Sequence, residues 1–169
     1  TRGRYERIEV ADLNDLIGVL LNLKSSQALA YGTAAAEHAP VVCQQTEKGQ
    51  RPEDAICRDR KHFDWPTGPG IFMLDYDPAP DTEPLTREAL LATLALAVPA
   101  LGEGTCVWMP SASSCIVNAK TGETLRGICG QRLYFVAERA ADIPVLGERL
   151  EAALWMADRG YMAVSRAGS

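Results

Sequence analysis

The chain has 169 residues, of which 47% are hydrophobic and 23% charged, and its net charge is −5. This length suits one globular domain with a sizeable core, and no apolar run reaches the roughly 18 residues that cross a bilayer, so we expect no membrane partner. The acidic balance argues against a generally basic nucleic-acid surface but leaves room for a local basic groove. Because the sequence starts with Thr1 rather than Met, we expect a piece of a longer protein.

The cysteines indicate the redox compartment. Their number is odd, no C-x-x-C occurs, and the start of the chain is no secretory signal, which together predict reduced thiols in a cytoplasmic protein. His38-x4-Cys43 and Cys57-x4-His62 contain the ligand types that zinc prefers, but their spacing matches no common zinc motif. We therefore do not expect a structural zinc.

The first part of the chain is predicted to be helical, with loops. Asp12 to Leu23 has apolar residues at helical spacing, and Asp12 is placed to cap that helix. A second helix is expected from Ser25 to Ala36. Residues 44–56 are polar and contain Gly and Pro, which predicts an exposed loop. These segments make residues 1–65 an N-terminal helical and loop subdomain.

Residues 66–169 follow a more regular order. Strands are predicted at residues 71–76, 105–109, 132–137 and 161–165, helices at 86–101 and 144–158, and a hairpin at 115–126 around the turn 118–122. Two β-α-β units that share one sheet give an α+β fold with an RRM-like, or ferredoxin-like, core. We expect helices on one face of the sheet and an open face for a ligand. A doubly wound α/β fold is the alternative.

Asp75 and Asp77 end the first of these strands. Side chains two apart on a strand point the same way, and two adjacent carboxylates repel each other unless a cation lies between them. Oxygen ligands favour Mg²⁺ or Mn²⁺, so the pair predicts a divalent-metal site. The alternative is two solvated acids before a Pro-rich loop. D-x-D also occurs in haloacid-dehalogenase-type phosphatases and glycosyltransferases, but Pro78 does not fit the phosphatase pattern.

Gly68-Pro69-Gly70-Ile71-Phe72-Met73-Leu74-Asp75-Tyr76-Asp77-Pro78 resembles the first acidic motif of the archaeo-eukaryotic primase superfamily, as found in primase-polymerases of plasmids and phages. Residues 130–135 lie where this family has its second motif, and residues 161–168 resemble the strand and turn that precede its third. Residues 27–32 and 58–63 are similar to upstream segments of members from mobile elements. The family has an RRM-like core.

The resemblance implies a DNA primase or polymerase that replicates a plasmid, phage or other mobile element by nucleotidyl transfer at two Mg²⁺ or Mn²⁺ ions. Asp75 and Asp77 would be the catalytic metal ligands. The residues expected to bind the nucleotide are Arg132, Arg166, Ser165, Ser113 and Ser114. The implied partners are a single-stranded DNA template, nucleoside triphosphates and a helicase domain in the same longer chain.

The chain departs from the family pattern at two positions. Gln131 and Arg132 replace the His of the second motif, and Arg132 could bind phosphate in its place. No third acid follows before Ser169, so we expect either a core that continues further or an inactive domain. Two alternatives therefore stay open: a non-catalytic nucleic-acid or origin-binding module on the same fold, and an unrelated D-x-D metal-dependent phosphotransferase.

Overall fold

A computed structural model describes residues 3–30, 32–42, 52–79 and 81–160. Within these residues the fold is mixed α+β, with several small sheets and four α-helices, which confirms the predicted class. The chain forms two compact units, Thr1–Gly70 with Glu138–Ala141, and Ile71–Ala137 with Asp142–Ser169. Among the described residues no helix is long and apolar enough to cross a membrane.

The described residues of the first unit form one α-helix and five short strands. In chain order these are β1 (Gly3–Glu6), α1 (Leu13–Asn22), β2 (Thr33–Ala34), β3 (His38–Val42), β4 (Ile56–Cys57) and β5 (Phe63–Asp64). One sheet has the order β1-β3-β4, in which β3 is antiparallel to β1 and parallel to β4. Strands β2 and β5 form a separate antiparallel pair.

The predicted helix α1 and its cap are confirmed. Asp12 Oδ1 accepts hydrogen bonds from the backbone N–H groups of Asn14, at 2.7 Å, and Asp15, at 3.0 Å. These bonds, the one from Asp15 most of all, hold the pKa of the Asp12 carboxyl below its usual range because they stabilise its charged form.

The second predicted helix, Ser25 to Ala36, is wrong. Thr33 and Ala34 form strand β2 instead, opposite Asp64 and Phe63. Gly32 has a φ of +69°, and a Cβ there would lie 2.8 Å from the Asp64 carbonyl oxygen, so the chain turns left-handed and close to β5. Most of the loop predicted at residues 44–56 lies outside the described residues, and its last residue, Ile56, is buried in β4.

A small apolar core joins the three-stranded sheet β1-β3-β4 to the β2–β5 pair within the first unit. Ala34, Ala39 and Ile56 are buried there, with Tyr5 and Phe63 packed against them. The Tyr5 and Phe63 rings meet edge to face with centroids 5.3 Å apart, and the Tyr5 hydroxyl accepts a hydrogen bond from Ala34 N at 3.1 Å. A partly buried aromatic pair with a satisfied hydroxyl stabilises the link between β1 and β2.

The second unit is built on a three-stranded sheet. Its elements are β6 (Gly70–Tyr76), α2 (Arg87–Ala97), α3 (Pro99–Glu103), β7 (Cys106–Pro110), β8 (Ile116–Val117), β9 (Thr124–Arg126), β10 (Gln131–Ala137) and α4 (Ile143–Met156). The strand order is β6-β10-β7, and β10 runs antiparallel to β7 with Arg132 opposite Met109. The hairpin predicted between these strands is confirmed as the antiparallel pair β8–β9. The strand predicted at residues 161–165 lies outside the described residues.

The helix predicted from Thr86 to Leu101 is in fact two helices. It breaks at Val98, which is extended with φ −140° and ψ 93°, and α3 then begins at Pro99. A proline has no N–H to continue the helical bonding, and it pushes the residue before it out of the helical region. Pro99 therefore indicates the break in the sequence, but the apolar residues continue at helical spacing across it, which favoured one long helix.

The two faces of the sheet have different roles. Leu133 and Phe135 are buried on one face, where the ring of Phe72 from β6 lies 6.5 Å from that of Phe135. Arg132 and Tyr134 alternate with them on the opposite face. We expected this second face to be open to a ligand. The face is accessible at Arg132, but it is buried at Tyr134, which is only 4% exposed.

Candidate active site at the end of strand β6

The two aspartates of the D-x-D lie at the carboxyl end of β6. Asp75 is the last residue but one of the strand, Asp77 follows its end, and both side chains are exposed. Tyr76, between them, has its hydroxyl on the other side, where it accepts a hydrogen bond from Leu85 N at 3.1 Å. The apolar strand thus fixes the backbone that presents both carboxylates to solvent.

Arg132 on β10 contacts the first of these carboxylates. Its Nε donates to Asp75 Oδ1 at 3.1 Å, and its Nη2 reaches Oδ2 at 3.5 Å. The two side chains are 39% and 40% exposed, so water screens the pair and its net contribution to stability is at most about 1 kcal/mol. An ion pair this weak can open without large cost when either partner is offered a stronger one.

Gly130 and Ser111 surround the second carboxylate. Both are buried, and Ser111 N donates to Gly130 O at 2.9 Å. A Cβ at Gly130 would lie 2.7 Å from Asp77 Oδ1, 3.1 Å from Ser111 Cβ and closer still to Ser111 Oγ. Only a residue without a side chain lets the carboxylate and the hydroxyl approach the start of β10 from two sides.

Ser111 was not predicted as a site residue from the sequence, although the pairing of β7 with β10 indicates its position. In an antiparallel pair the residue after one strand lies beside the residue before the other. Pro110 ends β7 opposite Gln131, so Ser111 must lie beside Gly130. The register alone therefore predicts their contact, once β7 and β10 are taken as neighbours.

The loop after β7 contains Ser113 and Ser114, the two described serines that were expected to donate hydrogen bonds to phosphate oxygens. Ser113 is exposed, and its hydroxyl lies 2.8 Å from that of Ser111. Ser114 is 7% exposed, and its Oγ donates to Gly130 O at 2.6 Å and accepts from Cys129 N at 2.9 Å. Ser113 is thus available at the surface beside Ser111, whereas Ser114 fixes the loop. Ser165 and Arg166 lie outside the described residues.

Gln131, the residue before Arg132 on β10, is fully buried. Its Oε1 accepts from Trp108 Nε1 at 2.8 Å, and its Nε2 donates to Leu85 O at 2.7 Å. The Arg87 guanidinium lies over the Trp108 ring, 5.6 Å from its centroid. Gln131 therefore links β10 to β7 and to the chain before α2, whereas its neighbour Arg132 contacts Asp75.

The donor set at the site is two carboxylates with two nearby hydroxyls. In the described part of the chain no group of three or more His, Cys, Asp and Glu is placed to hold a metal. Mg²⁺ commonly combines one or two protein carboxylates with substrate phosphates, and hard oxygen donors of this kind suit it. The oxygen donors present therefore suit a divalent cation that takes its remaining ligands from elsewhere.

The candidate zinc ligands do not form such a group among the residues described. His38 is exposed on β3, and Cys57 is buried on β4. His62 Nδ1 lies 2.6 Å from Asp59 Oδ1, and this hydrogen bond is the main reason that the pKa of the Asp59 carboxyl is below its usual range. Cys43 lies outside the described residues.

Comparisons of the chain with protein-family models, with curated proteins and with solved structures find no match.

Proposed function

We propose that this chain is the catalytic domain of a DNA primase-polymerase, which uses Mg²⁺ or Mn²⁺ to transfer nucleotides on a single-stranded template. The observation that supports it most is the arrangement at the end of β6, where two exposed carboxylates lie near the Arg132 guanidinium and the Ser111 hydroxyl, which in turn contacts the exposed Ser113 hydroxyl. Anionic groups for metal ions and donors for phosphate oxygens thus meet at one end of one sheet.

The topology of the second unit supports an RRM-like core. Helices α2 and α3 connect β6 to β7, and β10 lies between these two strands in the sheet. A strand inserted between the two strands of a β-α-β unit is the arrangement of the split β-α-β fold. The D-x-D and the Gln131–Arg132 pair then lie on neighbouring strands of this sheet, as in the first and second motifs of the resemblance.

In the proposed reaction each side chain has a separate task. Asp75 and Asp77 would hold the cations, and the chemistry that these would supply is activation of the primer 3′-hydroxyl and neutralisation of the triphosphate charge. Arg132 pairs with Asp75 in the absence of substrate and binds the triphosphate when it arrives, because phosphate offers its planar fork a more highly charged partner. The Ser113 hydroxyl donates a hydrogen bond to a phosphate oxygen. Gly130, which has no side chain, leaves room for the Asp77 carboxylate.

A non-catalytic nucleic-acid-binding module on the same fold is the second candidate. One observation favours it: Arg132 already neutralises Asp75 without a metal. Such a module would bind DNA in the presence of a metal chelator, and its affinity for DNA would be unchanged by the loss of both aspartates. These properties separate the two candidates directly.

The test is incorporation of a labelled nucleotide on a primed single-stranded DNA template with Mn²⁺ or Mg²⁺. Wild-type protein should extend the primer, and Asp75→Asn/Asp77→Asn should reduce extension at least about 100-fold, because the reaction then lacks its metal ligands. Glu148→Gln/Glu151→Gln, which removes two acids from α4 of the same unit, is the matched control and should extend normally. Metal-independent DNA binding without extension would support the module instead, and turnover of a small phosphoester without template would support a phosphotransferase.

A further inference from the structure

The β8–β9 hairpin is unusually exposed. The exposed fractions of its aliphatic side chains are 39% for Ile116, 57% for Val117 and 59% for Leu125, and that of Ile128 just beyond it is 41%. A two-stranded ribbon alone is only marginally stable in water, and clustered exposed aliphatic side chains are typical of interaction surfaces. The hairpin therefore presents apolar surface that the described part of the chain does not cover.

Hydrogen bonds fix the hairpin at its base and at its tip. At the base, Cys115 N donates to Gly127 O at 2.8 Å, and Cys115 has a φ of +54°, a conformation rare outside glycine. At the tip, Asn118 Oδ1 accepts from Lys120 N at 2.9 Å and from Thr121 N at 3.3 Å. The ribbon therefore presents Lys120 from a defined turn.

The base of the hairpin adjoins the candidate active site. Ser114 links its two ends, because it donates to Gly130 O and accepts from Cys129 N. Gly130 in turn borders the Asp77 carboxylate. Lys120 lies five residues beyond Cys115, so its Cα lies at most about 17 Å from the base. That distance corresponds to about five nucleotides along one strand of a helical nucleic acid.

The charge of this segment contrasts with that of the whole chain. Residues 111–134 contain the cations Lys120, Arg126 and Arg132 and a single acid, Glu123, whereas the chain has a net charge of −5. On the hairpin itself, Arg126 lies opposite Ile116 in the antiparallel pair. Cations and aliphatic side chains thus lie together on a ribbon that starts at the site.

We propose that the β8–β9 hairpin binds the sugar-phosphate backbone of the single-stranded template as it enters the active site. Lys120 and Arg126 contact phosphates, and Val117 and Leu125 pack against the sugars and bases. The proposal rests on the proposed function, since it takes the occupant of the hairpin to be the polynucleotide copied at Asp75 and Asp77. Charge complementarity and continuity with the site favour this occupant over a second copy of the chain.

The experiment measures binding of a labelled single-stranded 20-mer by fluorescence anisotropy across a series of salt concentrations. Each cation that neutralises a phosphate of a single strand contributes about 0.7 to the steepness of log Kobs against log salt. Lys120→Ala/Arg126→Ala should therefore make the slope shallower by about 1.4 and weaken binding about tenfold at low salt. The matched control is Arg149→Ala/Arg159→Ala, which removes two cations from the same unit and should leave the slope unchanged.

Three results would overturn the hairpin proposal: no oligonucleotide binding by wild-type protein, an unchanged slope in the hairpin variant, or an equal change in the control. A concentration-dependent dimer that Val117→Ser/Leu125→Ser dissociates would show that a second copy covers the hairpin, and would overturn it as well.

Mn²⁺ binding, measured on the same proteins, separates this test from that of the proposed function. If Asp75→Asn/Asp77→Asn leaves Mn²⁺ binding intact while the hairpin slope still changes, the proposed function fails and the hairpin stands as a nucleic-acid contact.

Discussion

Gly130→Ala should damage the proposed metal site while leaving most of the fold intact. The added Cβ would lie 2.7 Å from Asp77 Oδ1 and closer to Ser111 Oγ, whereas ordinary contacts begin at 3.4 Å. The carboxylate must therefore retreat by about 0.7 Å, which exceeds the roughly 0.5 Å within which ligand geometry must be held. We expect at least about a tenfold loss of Mn²⁺ affinity, equivalent to about 1.4 kcal/mol.

The stability cost of the same change should be modest. Overpacking costs about 1–3 kcal/mol, and because Asp77 is exposed and can rotate away, we expect the lower end, which lowers Tm by about 2–4 °C. Gly127→Ala is the control three residues away, where a Cβ would meet nothing within 4 Å. Mn²⁺ titration followed by electron paramagnetic resonance, with a thermal melt of each variant, measures both quantities. Equal Mn²⁺ affinity in the Gly130 and Gly127 variants would refute the placement of Asp77.

Three further predictions concern single residues. Arg132→Gln should change Tm by less than about 3 °C because its ion pair is half exposed, yet should weaken triphosphate binding about tenfold in a fluorescent-nucleotide titration; a normal affinity would contradict its role. Gln131→Leu leaves the Trp108 indole N–H without its acceptor and should cost about 2 kcal/mol in urea unfolding, a loss that an unaltered midpoint would disprove. The His62 hydrogen bond lowers the pKa of Asp59 from its ordinary 3.8, so its stabilisation is present above that value and is lost as pH falls through the lowered pKa. Asp59→Asn should therefore lower Tm near neutral pH, and the difference from wild type should disappear as pH falls through the lowered pKa of Asp59; a pH-independent difference would argue against this hydrogen bond as the cause.

Local patterns in the sequence were sufficient for the elements whose stability is local. Helix α1 has its own apolar stripe and its own cap at Asp12, and the hairpin has the turn around Asn118. Both need few partners from elsewhere in the chain, so spacing and turn residues predicted them. The α+β class followed from the alternation of such segments.

The remainder depends on contacts between distant residues. Thr33 and Ala34 are strand residues only because β5, some thirty residues later, pairs with them, and the helical pattern gave no sign of this. Ser111 became part of the candidate site through its contact with Gly130, which depends on the register of β7 and β10. The pairing of Arg132 with Asp75 likewise needs β6 and β10 to be neighbours, which the motifs alone do not specify.

The central claim is that Asp75 and Asp77 hold divalent cations together with a nucleoside triphosphate. The most direct measurement is Mn²⁺ binding by electron paramagnetic resonance, with and without a nucleoside triphosphate, in wild-type protein and in Asp75→Asn/Asp77→Asn. A site with two protein carboxylates needs phosphate oxygens to complete it, so the triphosphate should raise the protein's Mn²⁺ affinity at least about tenfold. The double variant should lose both the binding and the enhancement. Undiminished, triphosphate-dependent Mn²⁺ binding in the double variant would contradict the claim.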